Sequence, residues 1–242
     1  MLVIIRLNPD LRAYRIFRRF ARPAMARLKE VFWLGMPIGL TMMFEAMLFN
    51  AMTLVMGTFG AAPLAAHQIA MNVPSITFMV PLGIAMAATI RVGKFAGAGD
   101  EAGVRRAGYS AMVIATAFMS LTGVALAVWP RAIASLYFDA HAPGAAEVIV
   151  LAVVYLRVAA AFQIFDALQV VGALCLRGLK DARAPLIIAG ASYWLVGAPI
   201  SIALGMGLHM QGLGIWIGLA AGLAAAAGAM CWRFYRLSRT IV

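Results

Sequence analysis

Apolar residues in this chain fall into six long runs separated by short polar connections. The runs are Trp33–Gly57, Ile69–Ile90, Gly108–Trp129, Ala146–Gly172, Pro185–Met206 and Gly212–Trp232. Each supplies roughly the twenty apolar residues that a helix needs to cross a bilayer. Hydrocarbon offers no partner to a free N–H or C=O, so runs of this length close their hydrogen bonds internally as helices. The pattern predicts an all-α integral membrane protein, a bundle of six transmembrane helices. It divides the chain into a basic segment at 1–30, six spans within 31–232 and a basic tail at 233–242. In the first segment Leu11, Tyr14, Phe17 and Phe20 recur at about helical spacing among arginines. That spacing fits a helix lying in the membrane interface and interrupted at Pro23. A solvated juxtamembrane linker fits as well. Met1–Ile5 is apolar but too short for a signal-peptide core, and reads as the stump of an earlier span.

Composition agrees. The chain has 242 residues, 64% hydrophobic and 12% charged, where soluble domains carry about 25% charged residues. A net charge of +11 raises nucleic acid as a partner, but the basic residues sit between apolar runs and not on one soluble module. Their sidedness is informative instead. Eighteen of the twenty Lys and Arg fall before span one, between spans two and three, between four and five, and after span six. The alternate connections hold only Arg131, and Arg157 lies inside span four. The positive-inside rule then puts both termini in the cytoplasm, which suits an even number of spans in a cytoplasmic (inner) membrane.

Small residues line one face of span six, where Gly214, Gly218 and Gly222 are spaced by four. Such a face lets two helices approach closely. Pro37, Pro74, Pro81 and Pro199 lie inside spans, where each suggests a kink and frees a backbone carbonyl.

Few residues inside the spans carry chemistry. Glu45 stands at the middle of span one, where a charge costs roughly 2.5–3.5 kcal/mol on insertion scales. Asp166 stands deep in span four, with Gln163 and Gln169 spaced three residues to either side. That polar face should point into the bundle or a wet cavity. Arg157 precedes Asp166 by nine residues, about 13 Å along a helix, too far for a direct pair. Two buried carboxylates that approach each other titrate as a coupled pair. Such a pair can hold a proton, or lose it and hold a sodium ion, which suits an ion-coupled carrier. Alternatively, each acid simply bonds a neighbouring helix. The sixteen methionines and thirteen phenylalanines would suit a cavity for varied lipophilic ligands, although packing accounts for most of them. Cys175 and Cys231 lack metal or redox spacing and read as small core residues, and the scattered histidines argue against zinc. Phosphate-binding, zinc-helix and nucleophile-elbow motifs are absent, so no enzyme and no cofactor is expected.

The stretches LGMPIGLTMMFE (34–45), GAAPLAAHQIAMN (60–72), VPLGIAMAATIRVGKFAGAGD (80–100), YLRVAAAFQIFDALQVVGALCLRGLKDAR (155–183), YWLVGAPIS (193–201) and GLGIWIGLAAGL (212–223) resemble the multidrug and toxic compound extrusion (MATE) transporters, above all their NorM-like branch. They occur in the family's order and cover nearly all of residues 30–235. The family has twelve spans in two six-span lobes, and this chain resembles the second lobe alone. By that resemblance residues 6–30 correspond to the connection between lobes, and Met1–Ile5 to the end of the sixth span. The resemblance implies a cation site at Glu45 and Asp166 for Na+ or H+, with Gln163, Gln169, Phe162 and Asn50 as supporting or cavity residues. The branch often has a tyrosine one turn before that Asp; Phe162 stands there instead, so the phenol oxygen is absent from the implied ligand set. The implied function is cation-coupled efflux of amphipathic or cationic small molecules from a lipid membrane. It implies a partner too, an N-terminal six-span lobe or a second half, because the family's substrate cavity lies between lobes and alternating access rocks one against the other. A non-transporting remnant or half-subunit remains open. So does a related lipid-carrier flippase, although those usually place basic residues in the central cavity and only Arg157 lies deep here.

Overall fold

The computed structural model describes residues 24–137 and 144–240. The basic-helix and stump readings of residues 1–23 lie outside the described residues. The chain forms two compact units, 1–36 and 37–242. In the first, the described residues turn helical at Met25, and Phe32 and Trp33 meet edge to face. The second holds the bundle.

Six helices are long and apolar enough to cross a membrane: α1 (Met25–Thr58), α2 (Ala61–Gly97), α3 (Glu101–Val128), α5 (Ala145–Gly178), α6 (Arg183–Gly207) and α7 (Gln211–Leu237). A short α4 (Pro130–Ser135) follows α3. Each expected span matches one of these helices, the third reaching one residue past α3 at Trp129, and the helices otherwise run beyond the spans. The extra turns carry polar and basic residues such as Lys94, Glu101, Arg105 and Arg177, which a hydropathy pattern counts as connections. Asp100 shows why α3 starts early: its Oδ1 accepts from Gly103 N at 2.8 Å and caps the helix. Gly99, at φ +69°, makes the preceding turn.

The core of the second unit is built on α5 and α7. α5 packs against α2, α3, α4 and α7, while α7 packs against α5 and α6. In its most apolar stretch α7 is 56% buried and α5 44%, against no more than 33% in any other span. The large apolar side chains left outside, including Leu54, Ile90, Leu121 and Leu195, belong to a surface solvated by lipid. A water-soluble monomer rarely shows so much exposed apolar surface.

The glycine face of α7 does what its spacing predicts. A Cβ on Gly214 would stand 2.5 Å from Gly205 N, one on Gly222 2.8 Å from Gly197 Cα, and one on Gly218 against Ser201. Ser201 Oγ crosses this seam to donate to Ile215 O at 3.1 Å. Opposite these glycines α6 is not uniformly α: Ser192–Gly197 and Ala203–Gly207 are π-helical, with Pro199 between them. At one end of the bundle Arg233 Nε donates to Asp181 Oδ2 at 2.6 Å, and Asp181 Oδ1 accepts from Ala184 N at 3.2 Å. One carboxylate thus ties the end of α7 to the connection before α6.

Candidate functional site

Glu45 on α1 and Asp166 on α5 line one cavity of about 210 Å³. Asp166 is buried at 6% exposure, and Glu45 is half-buried. The remaining wall comes from Phe49, Met71, Pro74, Ser75, Phe78, Met79, Phe162 and Trp216. Two acids 121 residues apart in sequence therefore open onto a space of molecular size within one unit. Ser75 adds a hydroxyl that donates to Met71 O at 2.7 Å, which leaves its oxygen lone pairs free to accept. Pro74 lacks an N–H, so the Ala70 carbonyl loses its helical donor beside the same wall.

The wall is aromatic in an ordered way. Phe162 meets Phe49 edge to face at 6.2 Å between centroids and Trp216 at 5.8 Å. Trp216 in turn meets His67 at 5.7 Å. The ring at 162 therefore packs between α1 and α7 and supplies no oxygen. Electron-rich ring faces attract cations, so the cavity combines two carboxylates with aromatic surface, a setting for a small cation held by oxygen.

The supporting polar residues are dispersed. Gln163 is fully buried, but its Oε1 accepts from Thr77 Oγ1 at 2.6 Å and from Thr122 Oγ1 at 3.3 Å. It joins α5 to α2 and α3 and does not line the cavity. Gln169 is buried at 3% exposure and is likewise not in the cavity wall. Asn50 is exposed and donates from Nδ2 to Ala46 O at 2.7 Å along its own helix. Gln163 and Asp166, one turn apart on α5, thus meet different surroundings. Methionine behaves similarly. Met52 and Met56 of α1 are core, Met42, Met43 and Met47 are exposed, and the cavity takes Met71 and Met79 of α2.

His67, one of the scattered histidines set aside as zinc ligands, proves to be a core residue. It is fully buried, its Nε2 and Thr53 Oγ1 share a hydrogen bond at 3.1 Å, and its Nδ1 has no partner among the described residues. The signal was present, since His67 sits in the otherwise apolar approach to span two. Trp216, within the stretch GLGIWIGLAAGL, is fully buried, and its Nε1 has no partner among the described residues. Cys175 is buried and Cys231 half-buried, both free thiols. Among the described residues no three His, Cys, Asp or Glu gather as a metal cluster.

Comparison with known proteins identifies the lineage. The MatE family model matches residues 37–203, more than half of the chain. The chain belongs to the MatE family. It is 44% identical over 239 residues to the probable multidrug resistance protein NorM of Mesorhizobium japonicum, covering 99% of this chain and 51% of that protein. The corresponding protein of Burkholderia mallei is 45% identical over 228 residues, 94% of this chain and 49% of that one. The chain thus spans about half the length of the curated relatives it matches. Among solved structures, the eukaryotic MATE transporter AtDTX14 superposes with a TM-score of 0.84 at 22% identity, over 99% of this chain and 53% of that one. An outward-facing multidrug resistance MATE transporter gives 0.84 at 18% identity, over 99% and 54%. An inward-facing multidrug resistance MATE transporter gives 0.75 at 18% identity, over 96% and 56%. These structures show the fold: six helices matching one lobe of a MATE transporter. The MatE family consists of transporters and not enzymes.

Proposed function

We propose that this chain is the second, C-terminal lobe of a cation-coupled multidrug antiporter, and that Glu45 and Asp166 carry the coupling ion, Na+ or H+. One observation carries the proposal: the two carboxylates stand on different helices and share one small, aromatic-walled cavity. Two negative charges in such a space are costly unless a cation neutralises them or a proton is taken up. Occupancy therefore changes the electrostatic energy of the α1–α5 contact. A bound ligand shifts a conformational equilibrium only by its differential affinity for the two states, and a carboxylate pair that closes on a cation supplies such a difference. In this reading residues 1–30 connect the lobes, the helices occupy 31–232, and 233–242 is a tail. The basic ends and both termini face the cytoplasm of a cell inner membrane. The exported substrates are amphipathic, often cationic small molecules, in keeping with relatives described as multidrug resistance proteins.

The test places the chain in a full-length, two-lobed context. Glu45→Gln keeps the shape and removes the charge. It is expected to abolish ion-driven dye efflux from everted vesicles while membrane expression is retained, and Asp166→Asn should behave alike. Undiminished efflux by Glu45→Gln would sink the assignment. Imposing a Na+ gradient or a pH gradient separately identifies the coupling ion.

A further inference from the structure

A second cavity, of about 540 Å³, lies between the end of α2 and the start of α3, and neither Glu45 nor Asp166 lines it. Arg91 and Arg106 stand on its two sides. Arg91 is six residues before the last residue of α2, and Arg106 five after the first of α3. At 1.5 Å per residue both lie about 8–9 Å from the connecting turn, so the two arginines leave their helices at one level. Ile84 and Ile114 line the same groove further along the two helices. They lie seven and eight residues beyond the arginines, about 10–12 Å deeper. Between them Ala87 and Ala107 leave the groove open as a narrow apolar slot.

Each arginine is anchored on its own helix, Arg106 Nε donating to Ala102 O at 3.4 Å. The Arg91 guanidinium carbon lies 5.8 Å from the Phe95 ring centroid, and Phe95 is itself part of the groove. Stacking of this kind holds the planar group with its donors outward. Ser110 adds a hydroxyl to the wall. The two carboxylates of the connecting turn are engaged elsewhere, Asp100 capping Gly103 N and Glu101 beside Arg105 at 3.6 Å. The groove therefore offers two guanidiniums on its opposite sides and a hydrocarbon slot below them. A soluble anion would use only the first feature and an uncharged lipid only the second.

We propose that this groove seats an anionic phospholipid, its phosphate between Arg91 and Arg106 and an acyl chain against Ile84 and Ile114. Basic pockets between transmembrane helices bind such head groups, and arginine matches phosphate with paired donors. The proposal is independent of the ion site and of the direction of transport.

The experiment is native mass spectrometry of the purified full chain, released from micelles holding equal amounts of phosphatidylglycerol and phosphatidylcholine. Phosphatidylglycerol should be retained in preference. The double variant Arg91→Gln/Arg106→Gln should lower its occupancy roughly tenfold or more. Lys94→Gln/Arg105→Gln, with the same change of charge on the same connection, should leave it nearly unaltered. Ala87→Phe, which fills the slot and keeps both arginines, should lower it as well. Excess glycerol phosphate, a head group without chains, should compete poorly. Equal retention of the two lipids by the unaltered chain overturns the proposal. So does equal loss in the Lys94/Arg105 control, which would mean diffuse charge. Full competition by glycerol phosphate overturns it too, since the groove would then be a phosphate site. Should the arginine variant lose its monodisperse folded form, the lipid preference, Ala87→Phe and glycerol phosphate arms still decide.

Discussion

Gln163 shows how differently two neighbouring polar residues can be used. It lies three residues before Asp166 on the same helix, yet it faces the hydroxyls of Thr77 and Thr122, while Asp166 faces the cavity. Replacing Gln163 with Leu removes an acceptor from both threonines. Thr77 has a second acceptor in Pro74 O at 3.0 Å, and Thr122 has one in Met119 O at 3.1 Å, so neither hydroxyl is stranded. The cost should be modest, about 0.5–1.5 kcal/mol. A thermal melt of detergent-purified Gln163→Leu should therefore drop slightly, with ion-driven efflux in the full-length context largely kept. Loss of efflux as complete as that of Glu45→Gln would place Gln163 in the ion pathway instead. At this scale the sequence revealed which residues were out of place in a membrane, because charge and amide groups in apolar runs are conspicuous. It did not reveal what they face. Gln163, Gln169 and Asn50 have similar chemistry, and only the neighbouring helices separate a tie between helices, a buried amide and an exposed one.

Among the elements, α6 and α7 depend on contact between backbones. Gly218 on α7 lies against Ser201, so Gly218→Val forces two backbones apart. The expected loss is about 1–3 kcal/mol, visible as an earlier thermal transition and lower yield of folded protein. Gly228, on the same helix, has nothing within 4 Å of where its Cβ would be. Gly228→Ala should instead raise stability by about 0.5–1 kcal/mol, through helix propensity. Opposite signs from two glycines ten residues apart would separate packing from propensity; a similar loss from both would disprove the close seam. The spacing of Gly214, Gly218 and Gly222 made this face legible. The π-helical turns of α6 that meet it were not legible, since one extra residue in a turn leaves hydropathy unchanged and is selected by the partner helix.

For the molecule as a whole, the chain matches about half of each curated relative and about half of each solved transporter. If the proposed cavity between lobes is where substrate binds, one lobe presents half of it. Expressed alone, this chain should insert in membranes and give no dye efflux above background. Co-expression with a matching N-terminal six-span half should restore efflux, and Glu45→Gln should remove it again. Efflux by the chain alone would imply that copies of it associate into a complete carrier. Failure of the pair, with both halves present in the membrane, would favour a non-transporting remnant.

The six spans, the uneven distribution of charge between their ends and the two anomalous acids were determined by the sequence alone. The cause is the bilayer, which penalises every exposed polar group and so writes a strong linear pattern into the chain. Tertiary structure alone decided that Glu45 and Asp166 share a cavity, that Phe162 and Trp216 wall it, that His67 backs the tryptophan, and that Arg91 and Arg106 flank a groove. These are meetings between different helices. Hydrophobic pattern is blind to them because lipid, a neighbouring helix and a cavity wall all accept the same apolar residues.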